Sequence, residues 1–246
     1  MQKRVQVGKI DFLSWKKLIR DGAQLSGLHV DVEQAELFAS HASELLMWNR
    51  KVNLTAITDP LEIAVKHFLD SIAAVPVIGA DKSILDIGSG AGFPGIPLKI
   101  MLPSNPIYLI DASRKKVAFL NHLIRMMKLQ KISAHHVRAE KLAQDPEFKN
   151  RFDVIVCRAL TDLKTFVEMG YPLLSDQGFL LAYKGNLSEL EIEKIKNSKE
   201  HHWGSNIHWA ISTQDYQLPF LNQSRTLVVI KRYGNNRHPH SKIIHY

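Results

Sequence analysis

The sequence predicts an α/β fold: a mostly parallel central sheet flanked by helices, closed by a final antiparallel strand and preceded by an N-terminal helical extension. Two observations predict it. From about Ser83 onward, short apolar runs alternate with longer amphipathic ones, the pattern of right-handed strand–helix–strand crossovers. The first of those runs, Ile84–Ile87, breaks into Gly88-Ser89-Gly90-Ala91-Gly92, a bend of alternating glycines where an open α/β sheet keeps its ligand crevice.

The elements follow in order. Phe12 to Leu25 reads as a helix. Asp31 followed by Gln34 resembles a capping box, and Ala35, Phe38, Ala42 and Leu45 then recur at helical spacing. Asp59-Pro60 is a second start signal, an N-cap with proline at the first helical position. Ile63, Phe68, Ile72 and Val75 give that helix its buried stripe. The predicted strands are Ile84–Ile87, Ile107–Ile110, Ile132–Val137, Asp153–Cys157 and Phe179–Tyr183. Helical segments lie between them, near Pro97–Leu102, Arg114–Lys128, Leu163–Leu174 and Leu187–Lys196. Thr226 to Ile230 is a last strong strand. The stretch from about 200 to 224, with Trp203, Trp209 and Pro219, gives no clear signal. The expected organisation is a helical extension over 1–80, a ligand-binding α/β domain over 81–232, and a basic tail over 233–246.

Composition narrows the class. The chain has 246 residues, 45% apolar and 23% charged, which excludes a disordered or low-complexity scaffold. The single cysteine, Cys157, cannot make an intramolecular disulfide, so a reducing compartment is expected. No apolar run approaches the roughly 18 residues a membrane helix needs, and the charged N-terminus does not read as a signal peptide. The cytoplasm is the expected location, with no membrane partner. Thirty-two Lys plus Arg against 24 Asp plus Glu leave a formal net charge of +8, a field that concentrates polyanions such as nucleic acid.

The glycine bend carries the chemistry. A buried strand passes Asp86, then glycines at alternate positions let backbone approach a ligand. The dinucleotide fingerprint Gly-x-Gly-x-x-Gly fails here, because Phe93 stands where its third glycine belongs. Asp111 ends the second strand, about 20 residues on, where an acid can accept from both ribose hydroxyls. That device serves nicotinamide and other nucleoside cofactors alike. Arg138-Ala139-Glu140 follows the third strand. Arg158 ends the fourth, where its fork suits a carboxylate or a phosphate. The histidines show no ligand spacing at the strand ends, so no metal site is expected. His135, His136, His201, His202 and the tail's His238, His240 and His245 read as surface residues. Trp15, Trp48, Trp203 and Trp209 read as packing residues.

Gly88-x-Gly90-x-Gly92 after an acidic strand resembles the first motif of Rossmann-like, class I S-adenosylmethionine-dependent methyltransferases. Further stretches resemble the bacterial RsmG (GidB) family of small-subunit (16S) ribosomal RNA guanine-N7 methyltransferases. They are Trp48-Asn49 through Asn53-Leu54-Thr55, His67-Phe68-Leu69-Asp70-Ser71, Asp86 to Pro97, and Asp111 with Lys115 to Leu120. Arg138-Ala139-Glu140, Arg158-Ala159 and Lys184-Gly185 complete the set. The glycine motif is shared by many methyltransferases; the Asn53-to-Thr55 and His67-to-Ser71 blocks are far more specific.

The resemblance implies S-adenosyl-L-methionine as cofactor, with family positions falling on Gly88, Phe93, Ala139, Glu140 and Arg158. The bend and strand ends add Asp86, Gly90 and Asp111. In place of a third glycine, the Phe93 ring is expected to close over the cofactor. The resemblance also implies a guanine of 16S rRNA, near the decoding centre of an assembled small ribosomal subunit, as target. Arg114, Lys115, Arg158 and Lys184 are the candidate RNA contacts, and a monomer is expected. Guanine N7 carries an in-plane lone pair and no proton, so in-line methyl transfer needs no general base and no catalytic side chain is nominated. Positioning then supplies the rate, an effect worth roughly 7–11 kcal/mol in favourable cases. The competing readings are a nicotinamide-dependent oxidoreductase, a non-catalytic RNA-binding or ribosome-assembly factor, and a methyltransferase acting on another substrate.

Overall fold

The computed structural model describes residues 11–158, 162–185, 187–196 and 207–234. Ala159, His201, His202, Trp203 and the tail histidines lie outside the described residues. Seven strands form one sheet: β1 Ile84–Ile87, β2 Ile107–Asp111, β3 Ile132–His136, β4 Phe152–Arg158, β5 Leu174–Lys184, β6 Ile207–Gln217 and β7 Ser224–Gly234. Their order is β3-β2-β1-β4-β5-β7-β6. The first five pair in parallel, with Leu85 opposite Tyr108 and Ile155 on its two sides. β7 runs antiparallel to both β5 and β6. The chain therefore leaves β1 toward β2 on one side and later returns to β4 on the other. That reversal opens a crevice at the carboxyl ends of β1 and β4.

β1 is buried on both faces because helices cover each side: Ile84 packs in one core cluster, Leu85 and Ile87 in the other. The predicted strands are all present, and β5 and β7 run longer than expected. β7 extends through Gly234, into the segment expected as tail. β6 went unread. It is an edge strand whose Ala210, Ser212, Thr213, Gln214 and Asp215 face solvent, so among its described side chains few apolar ones, Trp209, Ile211 and Tyr216, signal burial.

The extension is built as expected at its start. α1 (Phe12–Leu25) is capped by Asp11, and α2 (Val32–Val52) by the Asp31–Gln34 capping box. Asn53 ends α2 in the left-handed region at φ 53°, a conformation asparagine tolerates. Trp15, Ile19, Phe38, Ala42 and Leu45 join Phe93, Ile96 and Phe119 in one continuous cluster, so the extension shares its core with one face of the sheet. Trp15 is a packing residue, as read, with Nε1 donating to Pro60 O at 2.9 Å. Among the described residues, no helix is long and apolar enough to cross a membrane.

The helix opened by Asp59-Pro60 departs from the simple expectation. A short α-turn, Pro60–Glu62, widens into a π-helix over Ile63–Leu69 before narrowing again at Asp70–Ile72. The Asp70 amide reaches back five residues to Val65 O. The widened turn frees carbonyls for partners outside the helix, and such turns gather at functional sites.

Candidate active site

The bend after β1 turns on three glycines with positive φ: Gly88 at 72°, Gly90 at 57° and Gly92 at 93°. The amides of Gly88 and Ser89 donate to Ile110 O at 2.9 and 3.0 Å, and those of Gly92 and Phe93 to Ser89 O at 2.7 and 3.0 Å. The Gly90 amide donates to Asp111 Oδ2 at 2.9 Å. A Cβ on Gly92 would lie 2.7 Å from Ile96 and 3.3 Å from the His41 ring, whereas one on Gly90 would meet nothing closer than Gly88 O at 3.8 Å. One side of the bend is pressed into the core. The other opens onto the crevice.

Asp86 lies beneath the bend, fully buried. Its Oδ2 accepts from the Gly95 amide at 3.0 Å, and its Oδ1 has no partner among the described residues. Burial pushes its carboxyl up to about 7, only partly offset by the Gly95 hydrogen bond. Asp86, expected among the cofactor contacts, is buried and holds the turn through the Gly95 amide.

Asp111 joins β2 to the bend. Besides Gly90 it accepts from the Ser113 amide, Oδ1 at 2.7 Å. The N-cap of the helix Arg114–Met126 is Ser113, so Asp111 does not hold that place. Two accepted bonds leave a carboxylate with lone-pair capacity for a pair of ribose hydroxyls. The opening beside Gly90 and the acid that ties it down fit a nucleoside cofactor.

Phe93 is held differently from the expectation. Its ring is sandwiched between His41 and His67, both stacked on it with centroids at 4.6 Å, and Phe68 meets its edge at 5.1 Å. Both faces are covered, so the ring is packed under the bend rather than poised to close over a cofactor. Burial depresses the two histidines, His41 to about 4 and His67 to about 3, the latter aided by the Arg158 charge. Both are neutral at physiological pH.

Arg158 ends β4 and turns inward. Nη1 donates to Lys66 O at 2.7 Å and Asp70 Oδ2 at 3.2 Å, Nη2 to His67 Nδ1 at 3.2 Å, and its Cζ lies 5.2 Å over the Phe93 ring. The widened turn supplies that carbonyl. Arginine only donates, so His67 Nδ1 accepts, and Nε2–H donates to Thr55 Oγ1 at 2.9 Å. Asp70 Oδ1 in turn accepts from Tyr216 OH at 2.6 Å. Asn49 secures the Thr55 loop with two backbone bonds of 2.9 Å. With side-chain exposures of 14% and 7%, Arg158 and Asp70 form a largely desolvated pair, not a solvent-facing phosphate clamp.

The remaining candidates are spread along the same rim. Ala139 is buried at the start of a short helix, Ala139–Leu142, with Glu140 exposed in its first turn. Arg114 and Lys115 are exposed at the start of the helix after β2 and make no ion pair among the described residues. Lys184 ends β5, but its ammonium is bonded to Glu191 Oε1 at 2.7 Å. His135, read as a surface residue, is half-buried and stacked on Tyr108 at 4.0 Å, because β3's inner face packs there. His136 is exposed, as read.

The chain is similar in fold to solved archaeal structures. TYW2 of Pyrococcus horikoshii, solved with MeSAdo, superposes with TM-score 0.50 at 14% identity, over 68% of this chain and 61% of that one. A transferase from the same organism gives 0.53 at 13%, over 68% and 63%. The profile of the GidB family, rRNA small subunit methyltransferase G, matches residues 34–217.

The chain belongs to the GidB family.

Full-length relatives agree. The ribosomal RNA small subunit methyltransferase G of Acetivibrio thermocellus is 39% identical over 90% of this chain and 90% of its own. That of Geobacter sp. strain M21 is 41% identical over 89% and 98%. In the structure the His67-to-Ser71 block meets Arg158 through His67 and Asp70, and Thr55 of the Asn53-to-Thr55 block joins it through His67. Sequence reasoning named His67 and Asp70 only as part of a block, with no role, and missed His41 and Tyr216 altogether. The His67-to-Ser71 stretch quoted for the resemblance is the signal that could have marked His67 and Asp70; nothing local marks His41 or Tyr216.

Proposed function

We propose that this chain methylates N7 of a guanine in 16S rRNA within the small ribosomal subunit, using S-adenosyl-L-methionine. The observation that carries the reading is the alternating-glycine bend at the switch point of a GidB-family sheet, open beside Gly90 and tied to Asp111. When bound, S-adenosylmethionine supplies an electrophilic methyl group on a sulfonium. Gly88 and Gly90 give the methionine portion room, Asp111 takes the ribose hydroxyls, and Ala139 with Glu140 borders the adenine. Arg158 with Asp70 and His67 forms the wall facing the incoming base. The purine nitrogen has no proton to lose, so the wall's task is alignment and exclusion of water. Arg114 and Lys115 contact RNA phosphates at the rim.

A non-catalytic assembly factor would have no use for the open bend or its acid. The test is transfer of labelled methyl from S-adenosylmethionine to undermodified small subunits, with the product nucleotide identified. Label in 7-methylguanosine of 16S rRNA is the expected result. Label in protein, at another base or nowhere overturns the proposal.

A further inference from the structure

His41 belongs to α2, fifty residues before the glycine bend, yet its Nε2 lies 2.8 Å from Ala91 O in the middle of that bend. A carbonyl only accepts, so Nε2 carries the proton, and the unprotonated Nδ1 is the buried atom left without a partner. The ring is fully buried, stacked flat on Phe93 and edge-on to Phe68. Gly92 is pressed to 3.3 Å from the same ring. The bend's other amides are accounted for: Gly88, Ser89, Gly90, Gly92 and Phe93 all donate within the protein. The Ala91 amide alone makes no hydrogen bond among the described residues. His41 therefore grips the carbonyl of the residue whose amide is the bend's remaining donor.

We infer that His41 is a positioning residue for the cofactor: through Ala91 O it fixes the bend so that the Ala91 amide is presented to S-adenosylmethionine, making the helical extension part of the cofactor site. This rests on the cofactor reading above. A histidine serving the fold alone would stabilise the core without setting cofactor affinity.

The test uses His41→Phe, which keeps the stack on Phe93 and loses the donor, and His41→Gln, which restores an N–H. Calorimetric titration of each with S-adenosylmethionine is read beside its thermal midpoint and the split between kcat and KM. His41→Phe is expected to bind about tenfold more weakly, the typical consequence of one buried carbonyl left unsatisfied. KM for the cofactor rises by the same factor and kcat at saturation holds. His41→Gln recovers part of the loss. Affinity within twofold of the parent in His41→Phe, whatever its thermal midpoint, overturns the inference.

Should His41→Phe not fold, ¹⁵N-histidine NMR of the parent decides. The His41 Nε2–H resonance must move when the cofactor is added, and an unmoved resonance overturns the inference. A parent protein that binds no S-adenosylmethionine overturns the cofactor reading itself, a result distinct from equal binding by parent and variant.

Discussion

The amide of Gly90 donates to Asp111 Oδ2 at 2.9 Å, linking the open side of the bend to the end of the neighbouring strand. One carboxylate thus shapes the bend and faces the place where a ribose would lie. Asp111→Asn keeps the size and loses the charge and half the acceptor capacity. Its cofactor dissociation constant is expected to rise by one to two orders of magnitude, roughly 1.5–3 kcal/mol for hydrogen bonds to a charged group. Calorimetry reads this directly. Unchanged affinity would remove Asp111 from the site.

Two glycines of the bend separate fold from function. Both have positive φ, but only Gly92 would drive a Cβ into the core, 2.7 Å from Ile96. Gly92→Ala is expected to lower stability by roughly 2–4 kcal/mol, strain and overpacking together. Gly90→Ala costs about 1 kcal/mol in conformation and acts instead on cofactor binding, because its methyl group enters the open side. Urea unfolding and calorimetry on both variants check the contrast; equal effects on stability would contradict the packing described.

The Asp70–Arg158 pair is predicted to matter more broken than intact. Asp70→Ala strands a desolvated guanidinium and removes the acceptor of Tyr216, a loss of roughly 3–5 kcal/mol. Tyr216→Phe removes one hydrogen bond to a charged group, about 1.5–3 kcal/mol. Denaturant unfolding of the two single variants and the double variant measures the coupling. Additive effects would show that Tyr216 does not act through Asp70.

Acid should weaken the fold. His41 and His67 stay neutral in the folded chain down to about 4 and 3, against an ordinary 6.5. Between pH 6.5 and about 4 the unfolded chain takes up two protons that the folded chain refuses, so stability held above pH 6.5 is lost as pH falls. Asp86 opposes this, since its carboxyl, raised to about 7 from 3.8, keeps in the folded state a proton the unfolded chain releases. The three groups leave a net of about one proton, a slope near 1.4 kcal/mol per pH unit. Unfolding free energies at pH 5 to 6.5 should show the slope flatten in His67→Gln and steepen in Asp86→Asn. Identical slopes in parent and variants would contradict the buried neutral histidines.

What the sequence made legible was local. The capping box at Asp31, the Asp59-Pro60 start and the apolar run of β1 are written in adjacent residues, and so is the glycine bend. The partners of Arg158 are not. Asp70 lies 88 residues before Arg158, and Tyr216, which bonds Asp70, lies 146 residues after Asp70; they are brought together only by the sheet order and the widened turn at Ile63–Leu69. Phe93 was singled out for closing over a cofactor, but the rings covering its two faces come from α2 and from that turn, so its packing was hidden. Lys184 read as a free cation because Glu191 faces it only once the following helix is formed. β6 escaped because an edge strand with one solvated face carries few apolar residues.

The central claim is that the bend from Gly88 to Gly92 cradles the methyl donor. A crystal structure with S-adenosylhomocysteine tests it most directly. The account predicts ligand density along the open side of Gly90, ribose hydroxyls on the Asp111 carboxylate and the base beside Ala139, with His41 still bonded to Ala91 O. Density elsewhere, for instance between α1 and α2, with the bend bare, would contradict it.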